Sequence, residues 1–595
     1  MRILALCALL LIAAVPAAAD LVPIQLDGYF DDWSALAPVF TDAAGDDGTS
    51  GIDFGAVWVA NDQDYLYIRF ETGADVQPDE QQQMRLYLDT DMDAGTGLSY
   101  GGIGAELMWE FGYRDGTFTK SGTATVRHDD IGLLMGPTTS STEFEIALRR
   151  DAVPASGQTL FSGDTVRFIL RDAASAGDLA PNAGSITYTF SSGSLTVDTL
   201  DLGRADPAHI RLATWNVEND ALFDGGTAEA AQNRLLDVMD PDILVVCEVW
   251  NHSASQVRSM IEQHLPSDQG EDWYAVGIDG GNVVCSRFPI LDSWEVNPGF
   301  RITAALLDLG PDPAKDLLLI ACHWRCCTAD DNRQEEADSI IEFLADARTP
   351  GGLLTLPEGT PFLLAGDLNL VGWRQQLETI LTGDIINEGL YGPDSAPDWG
   401  GLPFFSVTAR HPDALRADTW WNDGSTYYPG KLDWILYTDS ALDLHRNFVL
   451  ETRTMKPETL ALHGLNAGDT TLASDHAALV ADFAVFDPAS DAPLVPGAPR
   501  HARLLPNVPN PFNPTTELRF TLDVPGRVEL GIYDARGRLV RTFPAEEYPA
   551  GEHRVTWDGG DGRGRRVASG VYQVLLTVTS QGTVVQEDAA ITLVK

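Results

Sequence analysis

The run Phe362-Leu363-Leu364-Ala365-Gly366-Asp367-Leu368-Asn369 is an apolar stretch of strand length that ends in Gly-Asp-Leu-Asn. An apolar run without alternation is what a strand buried on both faces looks like. Gly, Asp and Asn favour turns, so the carboxylate is expected where the chain leaves the sheet. In open α/β sheets functional groups are presented at such strand ends. Outward from this run the pattern continues. Ile210 to Val217, Asp242 to Val249, Leu317 to Trp324 and Pro361 to Ala365 read as strands, and Ala228 to Met239, Val257 to His264 and Asn332 to Ala347 as helices among them. Strands alternating with helices predict an α/β region with buried sheets over residues 208–486.

Each of these strands carries a polar group at or near its end. Asn216 closes Ile210-Arg211-Leu212-Ala213-Thr214-Trp215-Asn216, and Glu248 follows Ile243-Leu244-Val245-Val246-Cys247. Asp433 interrupts Lys431-Leu432-Asp433-Trp434-Ile435-Leu436, and Asp475-His476 precedes Ala477-Ala478-Leu479-Val480. Singly, each has a plain structural reading: a turn residue, a satisfied buried acid, a cap. Together they differ, because a buried carboxylate is costly unless it is paired or bound to a metal. Glu248, Asp367, Asp433 and Asp475 point to one polar pocket between sheets. Carboxylate and amide oxygens suit Mg²⁺, which binds phosphate substrates through one or two carboxylates and water.

The ordered set Trp-Asn, Glu-Val, Ser-Arg-x-Pro-Ile, His, Gly-Asp-x-Asn, Leu-Asp-x-Ile-Leu, Ser-Asp-His resembles the endonuclease/exonuclease/phosphatase superfamily. The resemblance implies a four-layer α/β sandwich and metal-dependent phosphoester hydrolysis, with Mg²⁺ as cofactor and Mn²⁺ or Ca²⁺ as substitutes. It implies that Glu248 is a metal ligand, with Asn216 and Asp475 close to the same ion. Asp367 then orients or deprotonates the attacking water, and Asn369 holds the nucleophile or the phosphate. His476 contacts the scissile phosphate, and Asp433 fixes its tautomer, since an imidazole needs a partner on its far nitrogen to set which side donates. His323 matches a second phosphate-stabilising histidine. By strand parity it faces away from Cys322 and Trp324, and Arg325 shares its face if the strand extends that far. Arg325 is then a phosphate clamp or a surface ion pair. Cys247 departs from the family, in which many nucleases carry Gln before the metal Glu, and the strand before Ser286-Arg287-Phe288-Pro289-Ile290 offers no Glu to partner His323.

The aromatic cluster Trp420, Trp421, Tyr427 and Tyr428 precedes Lys431. It is read as base-stacking, lipid-inserting or loop-packing. Cys326 and Cys327 are read as two thiols, with oxidation to Cys285 as the alternative.

The 595-residue chain is strongly acidic, with 87 Asp and Glu against 39 Lys and Arg and a net charge of −48. This argues against a broad basic nucleic-acid scaffold or an anionic-membrane binder, and against tight duplex binding, which uses several cations on phosphates. Residues 1–19 have Arg2, the apolar run Ile3 to Val15 and Ala17-Ala18-Ala19, the signature of a secretory signal peptide. No later segment is long enough to span a bilayer. Residues 20–200 carry short alternating runs such as Tyr65 to Phe70 and Phe144 to Leu148, which predict an all-β sandwich. Ile24 to Gly28 with Asp31-Asp32-Trp33, and Leu86 to Asp91 running into Gly95, resemble family 9 carbohydrate-binding modules. That resemblance implies a glycan ligand or none. The Asp89-x-Asp91-x-Asp93 spacing admits calcium or a polar hairpin.

A Pro- and Ala-rich linker covers 487–500. Residues 501–595, with Pro506 to Thr516, Val528 to Arg538 and Trp557-Asp558-Gly559, resemble Ig-like type IX sorting domains and the hook-capping Ig-like fold. The resemblance implies contact with secretion machinery and a Gram-negative-type source. The expected protein is multidomain, a central four-layer α/β sandwich flanked by two all-β domains, exported or held at the cell surface, and monomeric. Linkers set the flanking domains apart, so residues 208–487 are expected to retain the chemistry alone. The leading function is a secreted metal-dependent nuclease or phosphodiesterase acting on a phosphoester such as extracellular nucleic acid. The alternatives are a phosphomonoesterase or sphingomyelinase-like phospholipase, and a non-enzymatic glycan-binding surface protein.

Overall fold

The computed structural model describes residues 21–595 apart from 47, 49–50, 78–82, 121, 156, 267–272, 311–314, 486–501, 509–514, 523–524, 535–538, 550, 561–564, 568–569, 581–582 and 594–595. The signal-peptide and linker segments, and part of the Pro506 to Thr516 motif, lie outside the described residues. The chain divides into two compact units, residues 1–485 and 486–595.

The first unit begins with an antiparallel β-sandwich. One sheet runs Phe40–Thr41, Ala56–Asn61, Tyr65–Val76, Ser141–Arg149, Leu134–Gly136, and the other contains Thr165–Asp172, Met84–Asp89, Leu107–Glu110, Asp115–Phe118 and Ala124–Val126 in that order. Alternation puts Val57, Ile68, Phe70, Phe144 and Ile146 of the first against Leu86, Leu88, Trp109 and Phe168 of the second. The Ile24 to Gly28 and Trp33 motif is structural. Glu145 Oε1 accepts from the Asp27 and Gly28 amides (3.0 and 2.9 Å), and Oε2 accepts from Trp33 Nε1 (2.8 Å). The carboxylate oxygens of Asp89 and Asp91 cluster with that of Glu106, while Asp93 meets Asp91 through its amide (2.9 Å). Their oxygens already take protein donors: Arg167 Nε on Asp89 (2.7 Å) and Thr90 N on Glu106 (2.8 Å).

Residues 210–485 form two six-stranded sheets. The first runs Tyr274–Val276, Asn282–Ser286, Ile243–Cys247, Ile210–Asn216, Ala478–Val485, Leu442–Leu450. The second runs Ile290–Glu295, Ile302–Leu307, Leu317–His323, Phe362–Asp367, Asp433–Tyr437, Phe405–Ser406. Each has one parallel pair at its centre, Ile210–Asn216 with Ile243–Cys247 and Leu317–His323 with Phe362–Asp367, and antiparallel pairs elsewhere. Read from opposite edges, the two sheets also follow the same chain order. In each, the parallel pair is followed by an edge strand and then by the strand antiparallel to the second member.

The sheets share an inner core of Leu212, Val245, Leu319, Leu363, Ile435 and Leu479 with several alanines. Helices Gly226–Met239 and Ala254–His264 cover the outer face of the first, through Leu235, Leu236, Val257 and Ile261. Helix Asp330–Ala347 covers the second through Ile340, Ile341 and Leu344. Ser253 caps the second of these helices, its Oγ accepting from Gln256 N (3.4 Å) while Gln256 Oε1 accepts from Ser253 N (2.9 Å).

The expectation that the N-terminal sandwich is set apart by a linker is corrected. Tyr428, from the central region, is buried in the sandwich's own core. Its Oη accepts from Trp109 Nε1 and donates to Phe111 O, both at 3.1 Å. The Leu26 amide bonds Leu415 O (3.2 Å), and Thr199 Oγ1 donates to Asp413 (2.5 Å). A piece beginning at residue 208 would leave Tyr428 without its pocket. Tyr428→Phe strips the buried Trp109 N–H of this acceptor and is expected to cost about 1–3 kcal/mol. The check is the denaturant midpoint of the full chain. An unchanged midpoint would mean that this contact does not join the sandwich to the central region.

The second unit is a smaller β-sandwich. Ala502–Val508, Thr516–Leu522 and Gly551–Trp557 form one sheet, and Leu539–Tyr548, Gly526–Asp534, Gly570–Ser580 and Thr583–Leu593 the other. Leu518, Phe520, Ile532, Trp557, Val574 and Leu576 fill its core. Among the described residues no helix is long and apolar enough to cross a membrane.

Candidate active site

The carboxyl ends of the two parallel pairs meet at one point. Asn216, Cys247, His323 and Asp367 are the last residues of their strands, and Asp433 opens the strand beside Asp367. Gly366 has φ +147°, and a side chain there would run into the Cys322 carbonyl of the neighbouring strand. This close approach is why Gly precedes the acid. Glu248 lies one residue past its strand, with φ +65°, rather than within it. Glu218, Asn219 and Asp220, also left-handed, wrap around it. The Asn219 amide donates to Glu248 Oε2 and the Asp220 amide to its carbonyl, both at 2.9 Å. Backbone of this kind is costly for residues other than Gly and concentrates at functional sites.

Asn216 Nδ2 donates to Glu248 Oε1 (3.1 Å) and Asp367 Oδ2 (3.0 Å), joining the two sheets. Asp367 Oδ1 accepts from the Asn369 amide (2.9 Å), and Asn369, at φ +45°, donates its Nδ2 to Trp324 O (3.1 Å). His476 Nδ1 meets Asp433 Oδ2 at 2.8 Å, and its Nε2 is 3.9 Å from Asp367 Oδ2. His323 Nε2 lies 3.7 Å from Asp367 Oδ2 and 3.9 Å from Glu248 Oε1, while its buried Nδ1 has no hydrogen-bond partner among the described residues. Trp420 Nε1 donates to Asp475 Oδ2 (2.9 Å), and the Trp421 amide donates to Asp475 O (3.1 Å), fixing this loop beside Ser474-Asp475-His476.

Burial pushes the Asp367 carboxyl up to about 7, with Asp433 adding and His476 opposing. Burial alone would lower His476, but the charge and hydrogen bond of Asp433, with Asp367 and Asp475, lift it to about 10. His323 is held well below the usual imidazole range by burial, then by Arg301 and His476, and is neutral. Burial, with Asp475 and Glu248 adding, raises Glu218.

One cavity of about 500 Å³ touches Glu248, His323, Asp367, Asn369, Asp475 and His476. Its donor set fits a hard divalent cation. Glu218, Glu248, Asp367 and Asp475 face it against Arg301 and His476, and Glu248 and Asp367 converge on one amide. The acidic trios whose oxygens already stand within 4.8 Å of one another among the described residues, Asp42-Asp46-Asp178 and Asp89-Asp91-Glu106, are in the N-terminal sandwich instead.

Trp420 and Tyr427 line the cavity, and Tyr427 lies under the Arg114 guanidinium (4.0 Å). Arg325 and Trp421 do not line it. The strand stops at His323, so Arg325 falls in the exposed loop beyond, where its amide bonds Glu336 (3.2 Å). Trp421 packs on the N-terminal sandwich between Arg416 and Arg453. Cys326 and Cys327 are exposed at the cavity, whereas Cys285 is buried in the other sheet and cannot pair with them. Cys247 packs between the sheets with its thiol toward Cys322 O (3.4 Å).

Sequence reasoning missed Trp250, Arg301, Glu218, Met135 and Thr138, all of which line the cavity. Trp250 was within reach, two residues beyond Glu248. Arg301 arrives only through pairing, its carbonyl accepting from the His323 amide (3.0 Å). Its guanidinium stacks on Trp250 (5.5 Å) and donates to Trp324 O (2.9 Å).

Residues 213–476 match the model of the Endonuclease/Exonuclease/phosphatase family, and residues 510–582 that of the FlgD Ig-like domain. The chain therefore carries a domain of a family of phosphoester hydrolases, followed by an Ig-like domain of FlgD type. The basal-body rod modification proteins FlgD of Salmonella typhimurium and Salmonella typhi are each 39% identical over 70 residues, which is 12% of this chain and 30% of theirs. Among solved structures, an endonuclease/exonuclease/phosphatase from Beutenbergia cavernae is 16% identical (64% of this chain, 100% of that one, TM-score 0.29). D. rerio TDP2 complexed with single-strand DNA product is 16% identical (47% and 99%, TM-score 0.30). ANGEL2, a 2',3'-cyclic phosphatase, is 17% identical (46% and 95%, TM-score 0.31). At these TM-scores the superpositions do not bear on residue roles.

Proposed function

We propose that the protein is an exported, divalent-metal-dependent phosphodiesterase of nuclease type, its chemistry carried by a four-layer α/β sandwich. The observation that supports this most is that Glu248 and Asp367, joined through Asn216, line the same cavity as His476, whose far nitrogen is held by Asp433 behind it. Glu248, with Asn216 and Asp475, would hold Mg²⁺, for which Mn²⁺ or Ca²⁺ could substitute. The ion would polarise a phosphoryl oxygen as a Lewis acid.

The chain's own groups supply the rest. Asp367, raised to about 7, takes a proton from the attacking water as the new P–O bond forms. The ester P–O bond breaks, and the departing oxygen is protonated from solvent. His476, kept protonated by Asp433, donates from Nε2 to a phosphoryl oxygen on which charge builds. Asn369, anchored on Trp324 O, holds the loop beyond Asp367 and presents its amide group to the phosphate or water. Neutral His323 offers hydrogen bonding without charge.

Export rests on the sequence of residues 1–19. A sorting role for the C-terminal domain and glycan binding by the N-terminal sandwich rest on sequence resemblance alone.

The test is full-length protein stripped of metal, then given Mg²⁺, Mn²⁺ or Ca²⁺ with linear DNA, RNA, bis-p-nitrophenyl phosphate, p-nitrophenyl phosphate and sphingomyelin. Metal-restored cleavage of the diesters is expected. Turnover confined to monoesters or sphingomyelin would replace the reading with a phosphatase or phospholipase, and a folded sample inert on all of them would favour a glycan-binding surface protein.

A further inference from the structure

We infer that the N-terminal β-sandwich is a wall of the active-site cavity and confines the enzyme to phosphodiesters that enter end-on, namely small diesters and free chain ends, excluding bonds inside a closed strand or duplex. This rests on the phosphodiesterase reading above.

Two sets of contacts carry it. First, the sandwich grips the loop that follows the catalytic acid. Thr138 Oγ1 donates to Leu370 O (2.6 Å), the Ser140 amide to Gly372 O (2.8 Å), and Gln77 Nε2 to Val371 O. In return the Arg374 amide donates to Ser140 Oγ (3.2 Å). These bonds begin one residue beyond Asn369, so the loop that leaves the catalytic strand is held against the sandwich. Second, Met135 and Thr138 line the same cavity as Asp367 and His476. They belong to one segment, in which strand Leu134–Gly136 leads into Pro137 and Thr138. On its far side this segment borders a second cavity, of about 390 Å³, between the sandwich and the central region. Tyr428 and Tyr427 complete that side, the first locked in the sandwich core and the second under Arg114 of the sandwich.

The space so enclosed suits one small group. About 500 Å³ falls within the range of roughly 300–1,000 Å³ typical of small-molecule sites. Trp250 and Trp420 offer faces on which a base or other aromatic group can stack. Holding a continuous backbone on both sides of the scissile bond calls for several cations along the strand. Among the described residues Arg301 is the single Arg or Lys that lines the cavity, and it is already engaged with Trp324 O and Trp250. Apart from His476 the other charged lining residues are the carboxylates Glu218, Glu248, Asp367 and Asp475, which disfavours further phosphates beyond the one that reacts. Hydrolysis adds the elements of water across the P–O bond and releases the group that entered.

The experiment uses full-length protein with Mn²⁺ or Mg²⁺ on four substrates: bis-p-nitrophenyl phosphate, a linear single-stranded oligonucleotide, the same sequence closed into a circle, and supercoiled plasmid. The small diester, or the linear strand from its end, is expected to be hydrolysed on the order of 100-fold faster than the circle or the plasmid. Met135→Ala, which opens the wall, is expected to narrow that ratio through KM more than kcat. Equal rates on circle and linear strand would overturn the inference while leaving the phosphodiesterase reading intact. Failure to hydrolyse even the small diester would remove both.

Discussion

Glu248→Gln is expected to reduce turnover by on the order of 10³-fold or more while leaving the melting temperature of the full chain nearly unchanged. A metal ion acting as Lewis acid supplies several kcal/mol of transition-state stabilisation, and each 1.36 kcal/mol is a factor of ten in rate. The amide keeps the shape of the side chain. Its single side-chain oxygen can keep the bond from the Asn219 amide while giving up the one from Asn216, and the Asp220 amide still donates to the residue's own carbonyl, so the left-handed turn at Glu218 to Asp220 retains its anchors. What it loses is charge, in a cavity whose carboxylates have few cations to answer them. The measurement is the rate on a small diester across a Mn²⁺ titration, which should show weaker metal dependence and no recovery at saturation. Wild-type turnover in this variant would refute the ligand assignment.

Asp433→Asn is expected to act through His476 and to show itself in the pH profile. In the wild type burial alone would lower His476, but the Asp433 carboxylate 2.8 Å from Nδ1, together with Asp367 and Asp475, raises it to about 10. A rate that needs this imidazolium holds until pH approaches that value and then falls. Removing the negative charge lowers the histidine, so the alkaline limb moves to lower pH. The amide also leaves the ring free to take the wrong tautomer. In a serine protease triad the same replacement costs about 10⁴ in rate. Asp367→Asn differs: it removes the carboxyl that burial pushes up to about 7, so the acidic limb should flatten, while the alkaline limb moves down less than in Asp433→Asn because Asp433 keeps its charge and its hydrogen bond to His476. An unmoved alkaline limb in Asp433→Asn would mean that Asp433 is a buried structural acid and that it does not keep His476 charged against the phosphoryl oxygen.

The main elements of the central region were legible because apolar periodicity and buried position coincide there. Leu317–His323 and Phe362–Asp367 are apolar runs bounded by polar residues, and each was read to within a residue or two. Edge strands such as Ile290–Glu295 were not, since one face meets solvent and the run Ile-Leu-Asp-Ser-Trp-Glu has no clean pattern. The candidate site was legible where strand ends carry chemistry in sequence. It was not legible where the strand ended early, as before Arg325, or where a side chain comes from another domain, as with Met135 and Thr138. Trp421 illustrates a further limit: adjacent to Trp420 in sequence, it points to a different surface, because neighbouring residues in an extended segment face opposite ways. The tie between the sandwich and the central region left no local signal at all, because Tyr428 reads as one more aromatic in a loop.

The matching succession of strands in the two central sheets means that the site is assembled from two half-sites. Each half contributes residues at the carboxyl end of its parallel pair: Asn216 and Glu248 from one; His323 and Asp367, with Asp433 opening the strand beside Asp367, from the other. On the proposed mechanism the halves differ in chemistry, the first holding the cation and the second handling the proton, and neither is complete alone. They are tied by the Asn216–Asp367 bond and by His476, which reaches from the first sheet to Asp433 in the second. Catalytic alignment is therefore set by the spacing between the sheets, where Ala305, Ala321, Ala365, Ala477 and Ala481 keep the layer thin. Added bulk in that layer would shift every cross-sheet pair at once, although it touched no residue of the site, and the enzyme's rate would report the thickness of its own interior.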